Sequence, residues 1–548
     1  MFSTFLDQPS HAPLARVLAD LAACGLETTE HAHRQARDEH HGPVPDGLMP
    51  IAQQCARSLA PRGLWSHQAE AIAGLANGDS VVLSTSTSSG KSLVFQVAAA
   101  DALERRPGGK VLALYPTKAL IDDQLGRWQS ALDLAGWRVA RIHGGVRMAE
   151  RLDLLQRNDV ILATPDIVHA WMLRDPKTQP FLDAVHLLIL DEAHAYDGAF
   201  GSHMVFMLRR LRAASAIAQV IATTATLADP VDFIGKLTGL PTVHIGPQAE
   251  GAPSRGRHFL RVSGGGFSGK VALLCKLASS RRTRFLAFAD SRKAVEQIVE
   301  QTQRELDQAG LTGSGLVLPY RSGFEEEDRN RIQQSLARGR LRGVVSTSAL
   351  ELGIDIGDID AVILLTIPGT QRSVWQRAGR AGRGGMAGVC VVFDDGRAFL
   401  RGGLDAWLDL PIEPSRLYLH NRLIQYGQAL CAAYELQNRG AAVRRTVLDS
   451  LPDRFGQMLA NELEPMVALP DDCLQIKSRL DASGAPHWGM PLRSTGEDSW
   501  QISVDQQADQ KLGTVTTQQM LREAYPGAIY RYIAQPYRIT SVVSRTYE

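Results

Sequence analysis

Clustered cysteines are missing from this 548-residue chain. The six present, Cys24, Cys55, Cys275, Cys390, Cys431 and Cys473, lie far apart and form no C-x-x-C pair. That spacing suits buried reduced thiols and argues against a disulfide framework or a zinc cluster, so no zinc is expected in this chain. No apolar run approaches membrane-spanning length, and the opening MFSTFLDQPSHAP lacks a basic segment followed by an apolar core. A cytoplasmic protein is expected. Charge of one sign is lacking too: 59 basic residues face 58 acidic ones, so contact with nucleic acid must come from local patches. The remaining composition, 44% apolar and 21% charged, is that of a soluble globular chain, and the length implies three or four domains.

The first glycine of a standard phosphate loop is also absent. The pattern G-x-x-x-x-G-K-[ST] would place it where Thr85 stands. The rest is there: Val81-Val82-Leu83 is an apolar run, Thr87, Ser88, Ser89 and Gly90 lead to Lys91 and Ser92, and Leu93, Val94, Val97 and Ala98 recur at helical spacing. Strand, loop and helix in that order bring backbone N–H groups to a helix N-terminus, where a triphosphate binds. Lys91 then reaches the outer phosphates and Ser92 offers a hydroxyl to Mg²⁺, making ATP and Mg²⁺ the expected cofactors. Just upstream, Gln68 in LWSHQAEAI can donate and accept at once, as reading an adenine edge requires.

Beyond the loop, strand-like runs at 110–115, 137–142, 159–163, 185–190 and 219–222 alternate with helical stretches, which argues for a parallel sheet covered on both faces. Ligands bind such sheets at the carboxyl ends of the strands, and the polar clusters sit there. The run VHLLILDEAH is the most informative. It reads as a buried strand with two adjacent carboxylates at its exit, an arrangement that is costly unless a metal and a water use them. Asp191 can hold Mg²⁺ opposite Ser92, Glu192 can orient and deprotonate the attacking water and lie close to the metal, and His194 can link this site to Thr224 and Thr226.

A second alternating block has strands expected at 284–288, 315–318, 343–346, 361–366 and 388–393, and no phosphate loop. It carries STSALELGIDI and QRAGRAGR instead, with Arg380 and Arg383 spaced along one face of a helix end, where they could stabilise charge on a γ-phosphate held by the first block.

Gln68, TSTSSGKS, YPTKAL, ATPD, DEAH, TAT, STSALELGIDIG and QRAGRAGR, in this order and spacing, resemble the ordered motifs of superfamily 2 helicases over residues 64 to about 395. AYDGAFGSH, YRSGF, SALELGIDIGDID and SVWQRAGRAGR resemble more narrowly the YprA/MrfA and Hrq group, RecQ-related DNA-repair helicases, and CAAYEL and YPGAIY extend the likeness to the C-terminal region. The resemblance implies an α/β fold of two tandem RecA-like parallel-sheet lobes. A mainly helical, winged-helix-type module ending in a small β element follows. It also implies that Gly353 and Asp355 approach the nucleotide, Asp355 at the ribose, that Gln376, Arg380 and Arg383 complete the ATP site from the second lobe, and that Thr117, Lys118, Thr164 and Thr347 hold a nucleic-acid backbone. Short hydroxyls and a lysine are what a motor that must grip any sequence needs.

The expected domains are 1–60, a helical extension; 61–255, the ATP-binding lobe; 256–408, the second lobe; and 409–548, the accessory module. In the first, Leu14, Val17, Leu18 and Leu21 share a helical face, Gly25 offers a stop, and His31, His33, His40 and His41 read as solvated loop. In the last, a long helix is expected over 415–436, short strands around 473–477 and after Lys511, and a hairpin turning near Gln535-Pro536. The family's zinc-cysteine domain normally begins near that hairpin, so a separate polypeptide supplying it and docking on the terminal strand is a further expectation. The activity implied is ATP-dependent DNA unwinding with 3′-to-5′ movement on single-stranded DNA, in repair or in defence against phage. A double-strand translocase or RNA remodeller shares all the ATP-site residues, and a nucleotide-switched scaffold within a complex is the rival of another class.

Overall fold

A computed structural model of the chain describes residues 9–543 other than 88, 134, 352–356, 383–385, 395, 397–401, 466–467, 482–483, 494–498 and 506. Its strands build two seven-stranded sheets. One strand, β1 (Glu27–Arg34), precedes both alternating blocks. The first block supplies β2 (Val81–Leu83), β3 (Lys110–Leu114), β4 (Val139–Ile142), β5 (Val160–Ala163), β6 (Val185–Leu190), β7 (Gln219–Thr223) and β8 (Val243–Ile245). They pair in the order β8-β2-β7-β6-β3-β5-β4, all parallel. The second block supplies β9 (Arg257–Ser263), β10 (Phe285–Phe288), β11 (Val317–Tyr320), β12 (Gly343–Ser346), β13 (Ala361–Leu364) and β14 (Gly388–Asp394). Here the order is β1-β9-β14-β13-β10-β12-β11, parallel except for β1, which runs antiparallel to β9. The α/β class with parallel-sheet lobes follows directly. Helical crossovers cover both faces, so central strands read as continuous apolar runs; Val185, Leu187, Leu188, Ile189 and Leu190 of β6 are all buried.

By contacts the chain divides into two units, one of Met1–Asp38, Pro253–Ile412 and Glu497–Glu548, the other of Glu39–Ala252 and Glu413–Gly496. In the second of these, the helix Arg422–Arg439 and its neighbour Asp453–Leu463 place Ala429, Ala432, Ala433, Phe455 and Leu459 in the same apolar core as β3, β5 and β6. Arg439 ends the first of these helices by donating to the carbonyls of Leu173 (3.0 Å) and Asp175 (2.8 Å) and to the Thr178 hydroxyl (3.0 Å). Buried between the elements, Arg210 faces Glu435 at 3.1 Å, and His487 Nε2 lies 2.8 Å from the same Glu435 oxygen. Burial pushes the Glu435 carboxyl up to about 7, with Arg210 and Arg439 pulling it back.

The other unit differs from the sequence expectation at its N-terminal part. The helix Ala12–Ala23 forms as the periodicity requires and Gly25 stops it at φ 66°, its buried Leu14, Val17 and Leu21 packing on Leu260, Leu273 and Leu277. Residues 27–34, however, are an edge strand, not helix or loop. His31 and His33 project from it toward His258 of β9. His258 Nδ1 lies 3.0 Å from His31 Nε2, its Nε2 lies 2.7 Å from His11 Nδ1, and the His33 ring stacks on it at 4.5 Å. Burial and the neighbouring rings drive His258 down to about 3. These two histidines are therefore sheet residues; only pairing with β9, more than 220 residues away, reveals it.

Two further corrections concern the C-terminal region. Residues 471–481 form a helix where short strands were expected, because Cys473 and Leu480 share the face that packs on Tyr426 and Leu430. The terminal hairpin exists as β15 (Ile529–Tyr532) and β16 (Gln535–Arg538), yet it turns at Ile533-Ala534, and Gln535-Pro536 lie within the second strand. Both turn residues have positive φ, 51° and 61°, a conformation that usually demands Gly or Asn. It is held because Ala534 N donates to the Glu296 carboxylate at 2.7 Å. Arg321 of YRSGF completes the anchor: fully buried, it pairs with Glu296 at 2.9 Å and donates to the Tyr530 hydroxyl (3.0 Å) and the Arg531 carbonyl (2.7 Å).

The buried pair of Arg210 and Glu435 gives a direct test of how the helix Arg422–Arg439 is attached. Arg210→Met leaves a buried carboxylate without its main partner and is expected to destabilise the protein by about 3–5 kcal/mol in denaturant unfolding, while the double variant Arg210→Met/Glu435→Leu recovers most of that loss.

Candidate ATP site

β2 is buried along its length and releases the chain at Ser84 into the phosphate loop. The loop ends at Gly90, whose φ of 72° and ψ of 27° start the helix Lys91–Arg105. A Cβ there would come within 2.6 Å of Gln68 Nε2 and 2.8 Å of Trp65 Cζ3, so glycine is required by packing as well as by backbone. Thr85, standing where a glycine is usual, turns its hydroxyl 2.7 Å from that of Ser89 and ties the two ends of the loop together. Lys91 Nζ donates to the carbonyls of Thr85 (3.0 Å) and Ser86 (2.7 Å). Desolvation pushes its pKa down, while Glu192, Asp191 and Glu250 pull it up, so the ammonium sits in a strongly acidic surround. Thr87 lies in the loop and Ser92 in the first helical turn; Ser88 lies outside the described residues.

Gln68 is engaged by the loop itself. Its amide donates to the Gly90 carbonyl at 3.0 Å and its Oε1 accepts from Trp65 N at 3.0 Å, while the neighbouring His67 Nε2 lies 2.9 Å from the Ser89 carbonyl. This helix start therefore braces the loop.

Asp191 leaves β6 with its backbone N–H bonded to Leu114 of β3 at 3.0 Å. Its Oδ1 accepts from the Thr223 hydroxyl at 2.6 Å and from Glu192 N at 2.9 Å. Burial first, then the Glu192 charge, push it up to about 7, against the Thr223 hydrogen bond and Lys91. Glu192 has φ 48° and ψ 48°, a left-handed backbone that costs a non-glycine residue about 1–3 kcal/mol and is kept only where surroundings impose it. Its Oε2 lies 3.5 Å from His194 Nδ1, which also lies 3.5 Å from the Thr224 hydroxyl, and Thr224 in turn accepts from Thr226 N at 3.2 Å. The sequence-derived link from Glu192 through His194 to Thr224 and Thr226 is thus assembled. Thr223 and Glu250 were missed. Thr223 carries no pattern of its own, and Glu250, which accepts from Ser86 N at 3.1 Å and also from the Ser86 hydroxyl, approaches only through β8.

The strand order sets two groups of predicted residues along one carboxyl edge. The loop, Asp191 and Thr223 sit at the ends of β2, β6 and β7, and Thr117 and Thr164 follow the adjacent β3 and β5. The Thr117 hydroxyl accepts from Leu120 N at 3.4 Å, at the start of the helix Lys118–Asp133; Thr164 is buried ahead of Pro165. Arg493, unforeseen from sequence, spans both exits by pairing with Asp166 at 2.9 Å and donating to the Pro116 carbonyl at 2.6 Å.

In the other unit, Gln376 and Arg380 are buried near the end of the helix Gln371–Ala378. Arg380 lies in the turn after that helix and donates to the Glu351 carbonyl; it does not continue a helical face. Arg377, which the sequence did not single out, pairs with the Glu351 carboxylate at 2.7 Å. Thr347 immediately precedes the short helix Ser348–Leu350. Gly353, Asp355 and Arg383 lie outside the described residues.

Glu250→Ala removes the acceptor for the Ser86 N–H and hydroxyl, so the phosphate loop is expected to be less ordered and ATP affinity, measured with a fluorescent nucleotide, to fall by about 3- to 10-fold. Glu250→Gln, which keeps an acceptor, is expected to lose less.

The comparisons agree with this geometry. Residues 65–234 match the family model described as DEAD/DEAH box helicase, and 269–385 match the helicase conserved C-terminal domain. "Uncharacterized ATP-dependent helicase YprA" of Bacillus subtilis is 29% identical over 78% of this chain, and "ATP-dependent helicase HRQ1" of Saccharomyces cerevisiae is 30% identical over 70%. The chain spans 59% and 38% of the lengths of these two relatives. The crystal structure of the DUF1998 helicase MrfA bound to DNA superposes with a TM-score of 0.80 at 25% identity, covering 96% of this chain and 76% of that one. With the first helicase model matched over the phosphate loop and the paired-carboxylate strand end, and the second following it in order, the chain belongs to the DEAD/DEAH-box helicases of superfamily 2.

Proposed function

We propose that this chain is an ATP-dependent DNA helicase or translocase that moves 3′-to-5′ along single-stranded DNA and serves DNA repair or phage defence. The observation that carries the ATPase reading is the placement of Asp191 and the strained Glu192 beside Lys91 at the edge of one parallel sheet. The relatives named as ATP-dependent helicases and the DNA in the MrfA structure support the choice of substrate.

In the chemistry proposed, the loop N–H groups and Lys91 hold the triphosphate, and Gln68, whose amide meets Gly90 and Trp65, reads the adenine edge. Ser92 and Asp191 would hold Mg²⁺, with Glu192 close by. The donor set fits, since two adjacent carboxylates raise each other's energy and a hard cation relieves it. When bound, the metal neutralises charge on the outer phosphates. Glu192 orients the attacking water and takes its proton, and His194 couples that carboxylate to Thr224 and Thr226. Thr117, Lys118, Thr164 and Thr347 hold the strand backbone without reading bases. Gln376, Arg380, Arg383, Gly353 and Asp355 serve the nucleotide as the family motifs imply, Asp355 at the ribose and Arg380 and Arg383 at charge on the γ-phosphate.

Glu192→Gln keeps shape and removes the base, so it is expected to retain ATP binding while lowering turnover by about 10²- to 10⁴-fold; normal turnover would refute Glu192 as the base. Lys91→Ala is expected to lose nucleotide binding as well. ATPase rates with no nucleic acid, single-stranded DNA, duplex DNA and RNA test the substrate, with the largest stimulation expected from single-stranded DNA. Arg380→Ala is expected to abolish that stimulation with a smaller effect on nucleotide affinity.

A further inference from the structure

Next to the β5 exit, a groove of about 410 Å³ opens between the helix Met148–Arg157, the segment 166–174 and the turn 486–492. Most large apolar side chains of this unit are buried, yet two on the groove are not: Trp488 is 57% exposed and Met148 53%. The Arg174 guanidinium lies 4.5 Å from the Trp488 ring, and Arg151 lies 5.7 Å from the ring of Trp171 on the floor. Asp166, the one carboxylate among the described residues of the wall, is already paired with Arg493 at 2.9 Å. The groove thus offers an exposed aromatic ring with the Arg174 guanidinium beside it, a second guanidinium, Arg151, buried against Trp171 in the floor, and the carboxylate of Asp166 paired within the protein.

We infer that this groove receives one unstacked nucleobase of a bound single strand, stacked on Trp488, with the adjoining phosphate drawn to Arg174. An aromatic ring with a guanidinium beside it is the chemistry that takes any base by its π face and its phosphate by charge. The location agrees: the groove begins at Asp166, two residues beyond Thr164, at the strand exit proposed to hold the nucleic-acid backbone. The segments 166–174 and 486–492 thereby supply a grip on a base where Thr117 and Thr164 supply only a grip on phosphates. This inference rests on the nucleic-acid reading above.

The test is fluorescence anisotropy of the full chain with a labelled oligothymidine, repeated with a single abasic site moved along the oligonucleotide. Wild type is expected to lose affinity at one abasic position. Trp488→Ala is expected to bind the intact strand about 5- to 100-fold more weakly and to lose its sensitivity to that position, whereas Trp488→Phe retains both. Arg174→Ala is expected to weaken binding and to lower its dependence on salt. Because the ring is exposed, an unchanged unfolding midpoint for Trp488→Ala would show that the loss is local. Undiminished binding by Trp488→Ala, or no position-specific abasic loss in wild type, overturns the inference and leaves the helicase reading standing. Failure of wild type to bind any single strand overturns both.

Discussion

The site depends on how a phosphate loop short of one glycine is kept in shape. Three side chains do what backbone freedom normally does. The Thr85 hydroxyl meets Ser89, Glu250 takes the N–H and hydroxyl of Ser86, and Lys91 bonds the carbonyls of Thr85 and Ser86. The remaining glycine, Gly90, is pressed so closely by Gln68 and Trp65 that a side chain there would displace them as well as strain a backbone of φ 72°. The helix start Ser66–Ala76 is therefore part of the loop's architecture.

Charge is managed in the same unit by concentrating it. Lys91, Asp191, Glu192 and Glu250 influence one another at the ends of neighbouring strands, where desolvation strengthens every interaction. The left-handed backbone at Glu192 is the cost of turning the second carboxylate back toward the loop after a straight buried strand. A comparable concentration of charge away from the site, the Arg210–Glu435–His487 group, fastens the C-terminal helix to the lobe. Buried charge thus gathers at the candidate site in one place and serves attachment in the other.

The C-terminal region contributes to both units, and its anchors are polar. Arg439 closes on backbone carbonyls, Arg321 clamps the hairpin through Glu296 and Tyr530, and Arg493 spans the Pro116 and Asp166 exits. Guanidinium groups suit this task because their fixed fork satisfies several acceptors at once and is weakly hydrated.

What the sequence by itself determined was whatever depends on local order and periodicity. Continuous apolar runs foretold β3, β6, β7, β10, β12 and β13 nearly to the residue, because strands buried on both faces have little choice of composition. The loop ahead of Lys91 and the strand exit at Asp191 and Glu192 were legible in position because apolar runs stop there at small or charged residues. Only the tertiary structure decided the rest. Residues 27–34 became a strand by pairing with β9, Thr223 and Glu250 joined the site through β7 and β8, and Arg493 arrived from more than 300 residues away. The turn at Ile533-Ala534 exists because Glu296 holds it, against local preference. Each of these rests on contacts between distant segments, whose energy no local pattern records; a short run of residues with weak intrinsic preference takes the conformation its partner satisfies.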